Sequence, residues 1–307
     1  MCGGNTIRYI YPKLSSKDLF LFRLGGSGLG NILFTYARAV SYAKKHTDCK
    51  LIWPTWPSLK IGTILRNEKD KRFYIGLFKN NSKYICGIKK AYLLLKNKHI
   101  SEEQFLSDSS QDNCIVDFTG MEGCFADIMG DSALIKEDII RNLNKKQLKA
   151  LSFVGSKAVC MHIRLGDFYR VSIEEVKNGK HCSAIPIEWY VKMGKEIRRI
   201  VGNDVKIYVF SDGTDEELKP VLDLPNTERY TTGSAIGDIL ALSTAGVFVA
   251  SGSSFSMWAR YLGRMTTVMF PNQVKQEILQ EDDKYSEIVA SENIEEAFFD
   301  EIKNVLL

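Results

Sequence analysis

Apolar runs and helical stripes alternate along the chain, most regularly in its second half. Residues 158–163 (AVCMHI) form an unbroken apolar run holding one histidine, the pattern of a strand buried on both faces. Arg164, Gly166 and Asp167 follow at once, so charge appears where a buried strand ends. Residues 169–185 read as a polar loop. Pro186 then opens a helix whose Trp189, Tyr190, Met193 and Ile197 share a face. A strand over 205–210 (VKIYVF) runs into Ser211-Asp212-Gly213 and a helix from Asp215. Asp238 opens another helix, 247–250 is a strand ending in Ser251-Gly252-Ser253-Ser254, and Phe255, Trp258, Ala259 and Leu262 mark a further helical face. A last strand, 267–270, stops before Pro271. This alternation predicts a parallel sheet with helical crossovers. A terminal helix is expected over 293–307, with Asn293 and Glu296 in capping-box spacing.

The first half is less regular. Residues 1–17 have no period and are expected to be a loose lead-in, with Asp18–Leu24 as the first strand. Gly25–Gly30 then leads to a helix from about Asn31, with Leu33, Tyr36, Ala37 and Val40 on one face. Strand, glycine loop and helix is the order of a phosphate cradle, in which Gly28 and Gly30 let backbone N–H groups approach an anion. The same loop also fits a simple tight turn, with Asn31 as a helix cap. A second strand is expected over 49–53. Residues 58–112 carry Arg66, Lys69, Lys71, Arg72, Phe73, Tyr74, Phe78 and Tyr84 without a sustained period. They are expected to form a solvated insertion, the alternative being an aromatic and basic sugar platform. A strand over 113–118 leads to Glu122 and Asp127, placed either as general-base candidates or as solvated carboxylates. An amphipathic helix over 133–151 closes at Gly155. The predicted class is α/β, with domains 1–154 and 155–307.

Composition narrows the function. A chain of 307 residues exceeds one typical core, and 45% hydrophobic with 25% charged residues is globular. A net charge of +4 is too mild for a nucleic-acid field but suits a local anion pocket. The seven cysteines are scattered without a C-x-x-C, and with four histidines give no metal-ligand spacing. Reduced thiols, no metal and no cofactor are expected. No apolar run approaches the roughly 18 residues of a membrane span, and no signal pattern opens the chain, so the expected setting is cytoplasmic, compatible with peripheral membrane association.

Three predicted strand ends carry polar clusters: His162/Arg164/Asp167, Ser211/Asp212 and Ser251/Ser253/Ser254. Ligands of open α/β sheets bind beyond the carboxyl ends of the strands. There an arginine fork and a serine-capped helix start can hold phosphate, and carboxylates can read ribose hydroxyls or base donor edges. Plain turns and N-caps are the competing account. A nicotinamide site is disfavoured, because Gly26, Gly28 and Gly30 do not make G-x-G-x-x-G and no acid follows about 20 residues later at a second strand end.

With these residues in view, the chain resembles the α-1,2-fucosyltransferases of glycosyltransferase family eleven and their bacterial relatives. Four stretches carry the resemblance: Gly28-Leu-Gly30-Asn31 with Phe34 and Ala37, His162-Ile-Arg164-x-Gly166-Asp167, Phe210-Ser-Asp212, and Ser251-Gly-Ser253-Ser254-Phe255-Ser256-x-Trp258. The resemblance implies two Rossmann-like domains facing a cleft, the GT-B type, with a metal-independent, inverting reaction. The C-terminal half would hold a nucleotide-sugar donor, usually GDP-fucose, and the N-terminal half a glycan acceptor. By the same resemblance Arg164 neutralises the leaving diphosphate, with Asp167 beside it, Ser253 and Ser254 add phosphate donors, and His162 and Asp238 lie near the guanine. Asn31 would face the cleft. Two departures stand out: Leu165 replaces a second arginine, and Ile32 replaces a glutamine. Leu165 keeps two rivals in view, a transferase using another GDP- or UDP-sugar and a non-catalytic nucleotide- or glycan-binding regulator. Nothing in the sequence names the acceptor or the oligomeric state.

Overall fold

The computed structural model describes residues 7–59, 73–79, 83–107, 114–273, 275–280 and 283–307. The chain divides into two compact units, Met1–Lys145 and Lys146–Leu307.

In the first unit, β1 (Arg8–Pro12) lies inside a four-stranded sheet. It is followed by β2 (Lys17–Asp18), β3 (Arg23–Leu24) and the helix Leu29–Lys45. Next come β4 (Cys49–Leu51), β5 (Ser58–Leu59), the helix Gly87–Lys96, β6 (His99–Ser101), the helix Glu102–Ser107 and β7 (Ile115–Phe118). A 3-10 turn, Ala126–Asp131, leads into the helix Ser132–Asn142. The sheet order is β4-β1-β7-β6, with all neighbours parallel.

Several expectations change here. The supposed lead-in contains β1, whose Ile10 and Tyr11 are buried between two parallel partners. Its flanking Arg8 and tyrosines hide the apolar pattern. Asp18–Leu24 is instead two two-residue strands in a small sheet with β5, and its Leu19 and Leu21 are exposed. Asp18 accepts the Thr55 hydroxyl at 2.7 Å and the Phe20 N–H at 2.9 Å, which makes the segment a turn.

The described part of 58–112 is not an unstructured insertion, since it supplies two helices and the edge strand β6. Nor do its aromatics form a platform. Phe78 packs on Trp56 with centroids 4.2 Å apart, Tyr84 stacks on Trp53, and Tyr74 is buried beneath Arg23. Arg66, Lys69, Lys71 and Arg72 lie outside the described residues. The helix expected over 133–151 ends at Asn142, where Leu143 turns extended, and a separate 3-10 segment spans Gln147–Ser152.

The second unit holds β8 (Ala158–Ile163), the helices Ile173–Lys177 and Ile187–Val201, β9 (Lys206–Ser211), the helix Asp215–Leu222 and β10 (Thr227–Arg229). The helix Ala235–Leu242, β11 (Val247–Val249), the helix Ser254–Gly263, β12 (Thr266–Met269) and β13 (Glu287–Val289) follow. The helix Phe299–Leu306 comes last. Six parallel strands run β10-β9-β8-β11-β12-β13. β8 is buried throughout and alternates its faces: Val159, Met161 and Ile163 pack with Trp189, Met193 and Ile197, while Cys160 packs with Phe210 and Phe248.

The supposed polar loop 169–185 contains a helical turn, closed by a capping box between Ser172 and Glu175. The terminal helix starts at Phe299 rather than Asn293, although Ile294 and Ile302 are buried as expected. Phe153 packs on Tyr208 and Tyr230, with centroids 5.0 and 4.6 Å away. Its ring therefore anchors the segment around it in the second core, and the units divide nine residues before the expected 154/155 boundary. Among the described residues no helix is long and apolar enough to cross a membrane.

Candidate functional site

From β8 the chain fills one side of its sheet with β9 and β10, then returns to lay β11, β12 and β13 on the other side. The order thus reverses between β8 and β11, and a crevice at such a switch point is where open α/β sheets bind ligands. Polar residues cluster around both strand ends there, His162 and Arg164 at β8 and Ser251 and Ser253 after β11.

His162, at the end of β8, is 6% exposed and stacks on Phe255, with ring centroids 4.8 Å apart. Its Nδ1 meets the hydroxyls of Ser256 at 2.8 Å and Ser251 at 3.0 Å. Ser256 Oγ also accepts the Ser251 N–H at 3.0 Å. Burial pushes the imidazole down to about 3, helped by Arg164 and opposed by Asp212. The ring is therefore neutral at physiological pH. Ser253 is the N-cap of the Ser254–Gly263 helix, accepting from the Ser256 N–H, and its hydroxyl also meets Ser251 Oγ at 3.0 Å. The start of this helix concentrates N–H groups beside the hydroxyls of Ser253 and Ser254, a setting that favours anions.

Arg164 lies two residues beyond His162. Its Nη1 donates to Asp212 Oδ2 and its Nη2 to Asp167 Oδ1, while the guanidinium covers the Phe168 ring at 5.4 Å. Asp212 Oδ1 accepts the Leu165 N–H at 2.8 Å. A Cβ on Gly166 would stand 2.2 Å from Asp212 Oδ2, so the turn needs a glycine for this approach.

Leu165 is a core residue beside Ile163 and Val176, so an interior side chain stands where the resemblance expects a second arginine. A different guanidinium serves this loop. Arg170 donates to the carbonyls of Leu165 at 2.5 Å and Phe168 at 2.9 Å and pairs with Glu217 at 2.7 Å.

Asp238 sits inside the Ala235–Leu242 helix rather than opening it; Ser234 is the cap. The Asp238 carboxylate gathers the Thr232 N–H at 2.6 Å and the hydroxyls of Thr231 and Thr232. Burial raises its pKa, against those hydrogen bonds. In this arrangement it organises the 231–234 turn.

The remaining expected residues belong to the first unit. Gly28 is the N-cap of the Leu29–Lys45 helix, Gly30 is buried in its first turn, and Asn31 is half-buried and donates its N–H to Gly28 O at 3.1 Å. The glycines before them surround a wholly buried Arg23. Gly25 O accepts from Arg23 Nη1 at 2.8 Å, and a Cβ on Gly26 would stand 2.3 Å from that nitrogen. Glu122 and Asp127 are exposed on the segment after β7. The turn before Glu122 is tied down by Thr35, which donates to Gly120 O at 2.7 Å, and by Arg38, which donates to Thr119 O at 2.7 Å.

Structure thus assembles two clusters at the ends of the second unit's strands: His162 with Ser251, Ser253, Phe255 and Ser256, and Arg164 with Asp167 and Asp212. Gly166 and Ser256 were visible as members of the motif stretches but without roles of their own, and Phe168 carried no signal, since a loop phenylalanine is ordinary. Among the described residues no three His, Cys, Asp or Glu side chains gather where they could hold a metal ion.

The two units are α/β with parallel sheets, and the second carries these clusters at its switch point. Residues 93–289 match the model for Glycosyl transferase family 11, and the chain belongs to that family. It is a fucosyltransferase-like glycosyltransferase. Among solved structures the chain is similar to POFUT1 in complex with GDP-fucose (crystal-form-II), with 11% identity, a TM-score of 0.51, and 86% of this chain and 98% of that one covered. Also similar are a glycosyl transferase family 9 protein from Veillonella parvula DSM 2008 (10% identity, TM-score 0.45, 97% and 90% covered) and E. coli heptosyltransferase WaaC with ADP-2-deoxy-2-fluoro heptose (11%, 0.42, 97% and 98%). At these identities the likeness is one of fold. No curated protein matches the sequence.

Proposed function

We propose that the chain is an inverting fucosyltransferase that moves fucose from GDP-fucose to a glycan hydroxyl, in α-1,2 linkage, during surface polysaccharide synthesis. The observation that carries this reading is Arg164 at the carboxyl end of a wholly buried strand, across the switch point from the serine-capped helix start. Family membership and the GDP-fucose held by POFUT1 support the choice of donor. In this reading the second unit binds the donor and the first the acceptor.

The acceptor oxygen attacks the anomeric carbon as the bond from that carbon to the phosphate oxygen breaks. The electron pair leaves with GDP, and the acceptor proton passes to a carboxylate, for which we propose Glu122. Arg164 and the N–H and hydroxyl groups of Ser253 and Ser254 stabilise the charge growing on the diphosphate, so no metal or cofactor is required. His162, held neutral, offers its second ring nitrogen as a hydrogen-bonding group to the nucleotide. Asp212 and Asp238 order the turns around it, and Phe255 backs the imidazole. Gly28, Gly30 and Asn31 shape the first unit's contribution.

Removing one preorganised donor typically costs about 10²–10³-fold in rate. Arg164→Ala should therefore lower GDP-fucose turnover by about that factor while the far-ultraviolet circular dichroism stays unchanged. Turnover within a few-fold of wild type would remove Arg164 from this role.

A further inference from the structure

One helix of the first unit carries its polarity the wrong way round for water. The helix Gly87–Lys96 packs Leu93 and Leu94 with Tyr11, Ile52 and Ile115, and beside them it buries Lys90, which is 5% exposed. The Lys90 Nζ donates to Thr55 Oγ1 at 2.6 Å and lies 5.2 Å from the centre of the Tyr11 ring, and burial lowers the amine to about 8. The opposite face presents Ile88, Tyr92 and Leu95 to solvent, with Ile88 91% exposed. Their spacing of four and three residues puts them on one stripe. Hiding a lysine while exposing isoleucine and leucine is the reverse of what solvation favours.

A second element adds to this side. The turn 19–21 is fastened to the same cluster through Phe20, and Thr55 Oγ1 accepts from Lys90 while donating to Asp18. Leu19 and Leu21 are left exposed, Leu21 at 81%. The charge around these side chains is one-sided, since residues 83–101 hold five lysines and no aspartate or glutamate. Lys17, Lys89 and Lys96 are exposed, and among the described residues none of the three makes an ion pair.

We propose that this side of the first unit docks on an anionic lipid bilayer. Ile88, Tyr92, Leu95 and the leucines of the 19–21 turn enter the boundary between headgroups and acyl chains, and Lys17, Lys89 and Lys96 meet the lipid phosphates. Single exposed leucines are ordinary, whereas apolar side chains brought from two elements into a field of lysines call for a surface that is both apolar and negative. A bilayer with anionic headgroups is such a surface. Lysine stems lie along its apolar boundary while their ammonium groups reach the phosphates, and Tyr92 has an apolar ring with a hydroxyl for the wet side. Docking requires neither nucleotide nor turnover, so it stands apart from the reading of the donor site.

The test is flotation of the full chain with vesicles of phosphatidylglycerol and phosphatidylcholine, and with vesicles of phosphatidylcholine alone, at low and high salt. Wild type should float with the anionic vesicles, about tenfold less with the neutral ones, and come off as salt rises. Ile88→Ser/Leu95→Ser should lower partitioning onto anionic vesicles about tenfold with an unchanged melting curve, and Leu21→Ser should lower it about threefold. Leu21 lies on a separate element, so a folding defect in the helix variant leaves the test intact. Lys89→Gln/Lys96→Gln should cost about tenfold and flatten the salt dependence. Failure of wild type to float with anionic vesicles overturns the inference, as does flotation that neither serine variant lowers. Sedimentation velocity without lipid should be the same for wild type and Ile88→Ser/Leu95→Ser. A wild-type dimer that becomes monomeric in that variant would give the stripe to a second copy of the chain and overturn the inference as well.

Discussion

His162 is buried and stays neutral at physiological pH, so it acts in the site as a hydrogen-bonding group rather than a charge. Burial holds His162 near 3, whereas an unfolded histidine titrates near 6.5, so the unfolded chain binds the extra proton first. The sign follows: this contribution to stability is complete above about pH 6.5 and is lost as pH falls from there toward 3. Urea unfolding across about pH 4–7 should show wild type losing stability more steeply than His162→Gln, and equal slopes would show that the ring is not buried neutral. GDP affinity should show no histidine inflection between about pH 5 and 8. At this scale His162 and Arg164 were legible in the sequence, because an imidazole and a guanidinium at the end of an apolar run stand out. Ser256 was not. Its role depends on one helical turn bringing its hydroxyl under the ring, which residue type does not announce.

Elements were legible where a core dictates a pattern over five or more positions. β8, β9 and the helix Ile187–Val201 fall close to their expected places. β10 and β13 were missed because three-residue edge strands need no apolar run and carry charges. β1 was missed because its burial comes from parallel neighbours on both sides rather than from its own composition. Gly25 and Gly26, which precede Gly28 and Gly30 in the glycine loop, surround Arg23, a packing need that spacing cannot distinguish from ligand binding. The Ser254–Gly263 helix gives a prediction at this scale. Ser253→Ala removes the cap and should cost about 1 kcal/mol in urea unfolding while also weakening GDP binding, since the same hydroxyl orders the serine loop. A loss of stability without any loss of GDP binding would leave Ser253 as a cap alone.

For the molecule as a whole, two α/β units were readable from length and alternation, whereas their division was not. A glycine at 155 suggested a helix end, yet the segment before it belongs to the second core through the ring of Phe153. Phe153→Ala should destabilise the second unit by about 3–5 kcal/mol, seen as earlier loss of β8 amide protection in hydrogen exchange, with β1 and β7 protection unchanged. Equal loss in both units would contradict the division.

The direct measurement is GDP release by the purified chain from GDP-fucose, against GDP-mannose and UDP-galactose, with a panel of glycan acceptors and the anomeric configuration of the product read by nuclear magnetic resonance. The expected result is acceptor-dependent GDP release from GDP-fucose alone, an inverted anomeric centre with fucose on a 2-hydroxyl, and loss of turnover in Arg164→Ala. Turnover of another donor in preference to GDP-fucose, or a product with retained configuration, would contradict it.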